Sequence, residues 1–501
     1  MQAYRVIAAA LLSLIAASAQ AQQPLVKISS GELLGQQRDG VRRFIGIPYA
    51  AQPIGALRWQ PPQPAPPWTA PLDASAYGPA CPQPDDRLFG FTPPKQDEAC
   101  LHLNVWAPAA HDQALPVMVW LHGGAHRIGS ASLPFYDGQK LAARGVVLVT
   151  LNYRLGYLGF FSHPALDAEG KAGNFGLMDQ IAALKWVRDN IAAFGGDPAR
   201  VTVFGESAGG ADVLYLMSSP AGSKLFSAAI VESGGGWNKP PTRKAMQKLV
   251  LDDLETVGVD DHADASALRK LPAKKVVDAQ AHGALGFGPF VDDTTTFEKP
   301  STVFAAGRQL PVPLIIGNND YEGSLLKYRD MGFMGALLTR LPVIAGWYES
   351  QAPAAADRQP LLFRDTVFAA PARWIAAHQS RLAPTWLYRF SYVASARRGK
   401  QPGAAHAGEI GYVFDTLDTV PKIGAATSDE DRQMARQVAD CWVAFASTHE
   451  PRCALAWKPY EPAADNVLMI DAQPHEARHP EGRILDGVTE WFGPDSFLGR
   501  H

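Results

Sequence analysis

The stretch "VTVFGESAGG" (201–210) runs from a β-branched, apolar segment straight into Gly-Glu-Ser-Ala-Gly. A serine between two glycines at a strand's end, with "AGGADVLYLM" at helical spacing behind it, has the strand–turn–helix context of a nucleophile elbow. The glycines let the turn be tight and the helix pack close to the strand, which pushes the Ser207 hydroxyl into the open. Ser207 then lies at a helix amino terminus, where unpaired amides favour a developing negative charge. A hydroxyl is a weak nucleophile at neutral pH and needs a base within hydrogen-bond reach, with a third group orienting that base. The chain order expected of such a set is Ser, then Asp or Glu, then His.

Six histidines follow far enough on: His378, His406, His449, His475, His479 and His501. His378 sits in the helical pattern "RWIAAHQSRL", His449 between two cysteines, and the last three in a charged tail. These five are expected at the surface or in packing. His406, in the small-residue loop "KQPGAAHAGEIGY" soon after an apolar run at 385–395, is the expected base. For the acid, "PLIIGNNDYEGSLL" offers Asp320 and Glu322, and periodicity does not choose between them. The loser is expected to bond backbone amides. Acyl transfer also needs donors preorganised around the oxyanion of the tetrahedral intermediate. The glycines of "WLHGGAH" (120–126) let backbone N–H groups approach a substrate, and the amide after the nucleophile, that of Ala208, completes the set.

These groups require a scaffold. "LPVMVWLHGG" (115–124) and "GVVLVTLNYR" (145–154) are dense in Val, Leu and aromatics, as strands covered on both faces are. "GLMDQIAALKWVRDNIAAFGG" (176–196) places Leu177, Ile181, Leu184, Val187 and Ile191 at helical spacing and stops at Gly195-Gly196. "RVTVFGES", "FSAAIVESGG", "LPVPLIIGNND" and "TWLYRFSYVAS" supply further strands. Strands alternating with helices predict an α/β fold with a mostly parallel central sheet flanked by helices. Segments 240–300 and 324–384 are helical and more polar, so they read as insertions that build a lid or gorge wall. No repeat, low-complexity tract or flexible linker divides 22–501, which reads as one domain.

The 501 residues are 47% hydrophobic and 19% charged, with 46 basic against 49 acidic side chains and a net charge of −3. Without a basic block, nucleic acid is excluded as a partner. Residues 1–21 read as a signal peptide: Arg5, an apolar run from Val6 to Ala17, and the cleavage pattern Ala19-Gln20-Ala21. That run is too short to span a membrane, so no stable anchor is expected, and the mature chain begins at Gln22 in the periplasm or medium. Export suits disulfides. Cys81 pairing with Cys100, and Cys441 with Cys453, is the simplest of three connectivities. No Cys-x-x-Cys occurs and the histidines are scattered, so no metal site is expected.

Several long motifs, in order over nearly the whole mature chain, resemble the type-B carboxylesterases, the family of bacterial para-nitrobenzyl esterases and cholinesterases. They are "FIGIPYAAQPIGALRWQPPQP", "EACLHLNVWAP", "NYRLGYLGF", "NFGLMDQIAALKWVRDNIAAFGGDP" and "VTVFGESAGG". The resemblance implies the α/β-hydrolase fold and cofactor-free hydrolysis of a small-molecule ester by a monomer or homodimer. It assigns the acid to Glu322 and the base to His406, and maps oxyanion donors onto Gly124, Ala125 and Ala208. Glu409 and Ser233 match positions behind the triad, with Glu206 beside the nucleophile, and the pairing Cys81–Cys100 gains support. The cysteine loop lacks the cholinesterases' tryptophan and offers only Phe89 or Phe91, so a quaternary ammonium substrate is not expected. His126 stands where the family usually has Phe, and Arg127 after it is expected on the solvated surface. "FVDD" (290–293) replaces Val-Ile-Asp-Gly. Trp237 and Phe287 fall near acyl-pocket positions, where either could instead be core. Two other readings share this fold: a catalytically silent adhesion module, and an amidase or polyester hydrolase using the same triad.

Overall fold

The computed structural model describes residues 23–496 apart from 86–94, 168, 171–172, 238, 281–286, 328–330 and 422. The signal peptide, Phe89, Phe91 and His501 lie outside the described residues. Three short strands, β1 (Leu25–Ile28), β2 (Gly31–Leu34) and β5 (Leu72–Asp73), form a small sheet. The large sheet takes β3 (Gln36–Arg38), β4 (Val41–Pro48), β6 (His102–Pro108), β7 (Leu115–Leu121) and β8 (Val147–Leu151) from the first part of the chain. It continues with β9 (Gly196–Glu206), β10 (Ala228–Glu232), β11 (Leu314–Asn319), β12 (Thr385–Phe390), β13 (Asn466–Ile470) and β14 (His475–Arg478). Its order is β14-β13-β12-β11-β10-β9-β7-β8-β6-β4-β3, and every neighbouring pair from β8 to β13 is parallel.

The parallel strands are apolar on both faces because both faces are covered. Val119, Val149, Val203, Val231 and Ile316 pack on one side with the helices Phe175–Asn190, Ala208–Ser218 and Ala370–Gln379. Met118, Trp120, Phe204, Ile230 and Ile315 pack on the other with the helix Asp429–Thr448. The first insertion packs Met246, Val250 and Leu254 on Tyr157 and Phe161, and the second forms its own cluster around Ile344, Tyr348 and Leu362.

One expectation changes. The helix from Phe175 stops at Asn190, and a 3-10 turn, Ile191–Phe194, leads to Gly195 at φ 91°, so β9 begins four residues before Arg200. The charged tail is part of the sheet, with His475 in β14 and His479 buried beside Glu481. His449 caps the carboxyl end of its helix with φ 61° and bonds Ser227. Disulfides join Cys81 to Cys100 and Cys441 to Cys453. Among the described residues no helix is long and apolar enough to cross a membrane.

Candidate active site

Ser207 stands at the carboxyl end of β9 with φ 55° and ψ −119°, a conformation that L residues adopt only under constraint. The constraint is close packing. A Cβ on Gly209 would meet the Leu121 carbonyl oxygen at 2.0 Å, and one on Gly123 would meet the Ser207 Cβ at 3.1 Å. The Ser207 amide donates to the Glu232 carbonyl at 2.8 Å, which ties the elbow to β10.

Glu322 and His406 reach the same end of the sheet. Glu322 follows β11 and His406 follows β12, in a loop tied back by Tyr321 N–H to the Ala404 carbonyl and His406 N–H to Ser324 Oγ. His406 Nδ1 donates to Glu322 Oε2 at 2.5 Å. The other Glu322 oxygen accepts from Ser233 Oγ at 2.6 Å and the Asn319 amide at 2.7 Å. Asp320 does not compete: its Oδ1 accepts the Ala404 amide. His406 Nε2 lies 3.0 Å from Glu206 Oε1, and among the described residues Ser207 Oγ makes no hydrogen bond. In an unliganded hydrolase such bonds are often open and tighten on substrate binding.

Four carboxylates, Glu206, Glu232, Glu322 and Glu409, are buried here. Burial pushes Glu206 up to about 8, with His406 opposing and Glu409 and Glu322 adding. Burial pushes His406 down, but Glu206 and Glu322 lift it to about 9. A proton on Glu206 would remove the charge that lifts His406, so the two titrate as a pair. Because His406 sits between two carboxylates, Nδ1 2.5 Å from Glu322 and Nε2 3.0 Å from Glu206, we assign the proton to the imidazole, and the upward shift of His406 is the one that holds. Glu409 bonds Asn319 Nδ2, and burial, then the Glu322 charge, push it up to about 7. Burial, then Glu409, raise Glu232, whose Oε1 accepts from Trp442 Nε1.

Gly124 and Ala125 have φ of 111° and 54° in the loop after β7. Glycine is required at 124, where a Cβ would meet the Ile128 carbonyl oxygen at 2.1 Å. The Arg127 and Ile128 amides both close this turn on the Gly124 carbonyl. Ala125 is exposed, and among the described residues the Gly124, Ala125 and Ala208 amides donate to no protein acceptor.

The family model of the carboxylesterase family matches residues 22–338 and 346–484. The chain belongs to the carboxylesterase family. The esterase is 38% identical over 480 residues to a para-nitrobenzyl esterase of Bacillus subtilis (strain 168), covering 91% of this chain and 96% of that one. It is 36% identical over 468 residues to a fumonisin B1 esterase of Sphingopyxis macrogoltabida, covering 86% and 84%. A solved thermophilic PNB esterase superimposes with a TM-score of 0.84 at 36% identity, over 93% of this chain and all of that one. The esterase is a carboxylic ester hydrolase, and its family implies small-molecule ester substrates.

The remaining expected residues of the esterase fall differently. Arg127 is only partly exposed: its Nε is buried without a partner and its guanidinium lies 5.7 Å over the Phe287 ring. Phe287 also packs edge-on to Tyr157, and Trp237 bonds the Thr366 carbonyl and packs near Trp374. His126 is buried and bonded to Asp212. Asp293 takes glycine's place with φ 58°, a left-handed conformation Asp tolerates better than most residues. A cavity of about 450 Å³ between Tyr215, Ser219, Phe297 and Arg308 is lined by none of Ser207, Glu322 and His406. Sequence reasoning missed Asn319, Asp212, Glu232 and Phe368, whose ring lies 5.2 Å from that of His406. Of these, only Asn319, beside the two candidate acids, carried a local signal.

Proposed function

We propose that the protein is an exported serine carboxylesterase that works through an acyl-enzyme on Ser207, with His406 as base and Glu322 as the acid behind it. What carries this reading is the bond from His406 Nδ1 to Glu322 Oε2 at the end of the sheet where Ser207 turns. With Nδ1–H engaged, Nε2 is the nitrogen left to take a proton. Ser207 Oγ attacks the ester carbonyl carbon as its proton passes to Nε2, and the carbonyl oxygen becomes an oxyanion facing the Gly124, Ala125 and Ala208 amides. Collapse breaks the ester C–O bond, and His406 protonates the leaving alcohol. Water then repeats the sequence on the acyl-enzyme, which releases the acid and restores Ser207. Ser233 and Asn319 hold Glu322, and Glu206 and Glu409 set the charge around the imidazole.

We further propose cleavage after Ala21 and one domain over 22–501, acting on moderately bulky, largely apolar esters. The two disulfides favour an oxidising compartment. The test uses protein beginning at Gln22 with p-nitrophenyl acetate, butyrate and octanoate. Ser207→Ala is expected to lower kcat by several orders of magnitude. An active Ser207→Ala would overturn the reading, and sequencing the exported protein's first residues tests the cleavage site.

A further inference from the structure

Behind the oxyanion loop lies a buried His–Asp contact. His126 Nε2 is 2.8 Å from Asp212 Oδ1, and the other Asp212 oxygen accepts from Gln180 Nε2 at 2.6 Å. His126 Nδ1 faces the Phe287 carbonyl at 3.2 Å, and its own carbonyl accepts the Gly156 amide at 2.6 Å. His126 is 6% exposed, Asp212 and Gln180 not at all. Both ring nitrogens are engaged, one by Asp212 and one by the Phe287 carbonyl, so the ring is held from both sides.

The contact joins two elements that must be held in register. His126 directly follows Ala125, and both have positive φ, 55° and 54°, so this backbone persists only if its surroundings hold it. Asp212 lies four residues after Ala208 on the nucleophile's helix, on the same helical face. One buried pair thus links the loop presenting the Ala125 amide to the helix presenting the Ala208 amide. Oxyanion donors must sit within about 0.5 Å of their productive positions.

We infer that His126 and Asp212 are positioning residues that set the spacing between the two halves of the oxyanion hole. The inference rests on the proposed role of those amides. A trifluoromethyl ketone reads that spacing directly: Ser207 Oγ adds to its carbonyl carbon, the serine proton passes to His406, and the ketone oxygen becomes an oxyanion in the hole. In His126→Phe and in Asp212→Ser, kcat on p-nitrophenyl butyrate should fall about 100-fold and the ketone's Ki should rise similarly, with KM within about threefold. His126→Gln, which still donates to Asp212, should recover most of both. Should the single variants not fold, the double variant His126→Phe/Asp212→Ser, which leaves no unpaired buried charge, carries the test and should show the same raised Ki. Unchanged Ki per titrated active site, whatever the loss of kcat, would overturn the inference by reducing the pair to a packing role. A wild type insensitive to the ketone would instead overturn the oxyanion reading, and this inference with it.

Discussion

Glu206 keeps both carboxylate oxygens buried without a hydrogen-bond donor and faces His406 Nε2 at 3.0 Å. A charge there favours the imidazolium, which raises the pH at which His406 becomes a free base. Glu206→Gln removes that charge, so His406 should lose its proton more readily. The acid limb of the kcat/KM profile should then move to lower pH by roughly one unit. A limb that stays in place or moves up would show that Glu206 does not tune the base. The same neighbourhood shows why residue-level reading stalls. Asp320 and Glu322 are two positions apart in one loop and chemically equivalent in sequence. The structure separates them, because Glu322 reaches His406 while Asp320 takes a backbone amide.

At the scale of elements, the elbow works by the closeness of β7, β9 and the helix from Ala208. Gly209→Ala places a methyl 2.0 Å from the Leu121 carbonyl oxygen, a rigid backbone atom. The variant should lose roughly 3 kcal/mol of stability, read from denaturant unfolding, and kcat should fall because Ser207 moves with the helix. A variant of wild-type stability would mean the strand–helix gap yields easily. The disulfides act on other elements: Cys441–Cys453 anchors the segment after the helix Asp429–Thr448, and Cys81–Cys100 closes the loop leading into β6. Loop closures of 12 and 19 residues each correspond to about 3 kcal/mol in the chain-entropy model. Reductant should therefore lower Tm in scanning calorimetry, and Cys441→Ser/Cys453→Ser should capture about half the drop.

The buried acids give the whole molecule a pH signature. Burial and the Glu322 charge raise Glu409 in the fold to about 7, against 4.5 for a free side chain. The folded state therefore holds more protons than the unfolded chain from pH 4.5 upward. Its stabilisation is complete below 4.5 and is lost as pH rises through about 7. His406, lifted from 6.5 to about 9, adds a loss of the same sign between those values. Tm should fall from pH 5 to 8, and less so in Glu409→Gln, whose side chain cannot ionise. Parallel Tm curves for the two proteins would show that Glu409 is not held protonated by the fold.

The sequence alone determined the features that local chemistry writes: apolar runs that need cover on both faces, glycines where strand and helix touch, a serine between them, and His406 in a small-residue loop. It did not mark β3, β4, β6, β13 and β14 of the large sheet: β3 and β14 are charged strands at its two edges, β4 carries Arg42 and Arg43, and β4 and β13 join the sheet through partners far along the chain. Nor did it show that Arg127 lies over the Phe287 ring, which comes 160 positions later. The residues alone left Asp320 and Glu322 open and only the family resemblance favoured Glu322; the tertiary structure decided that Glu322 meets His406, that Glu232 joins the buried acids there, and that His126 closes on Asp212. Each of these is a contact between residues far apart in the chain, and only the folded sheet and its insertions bring them within hydrogen-bond range.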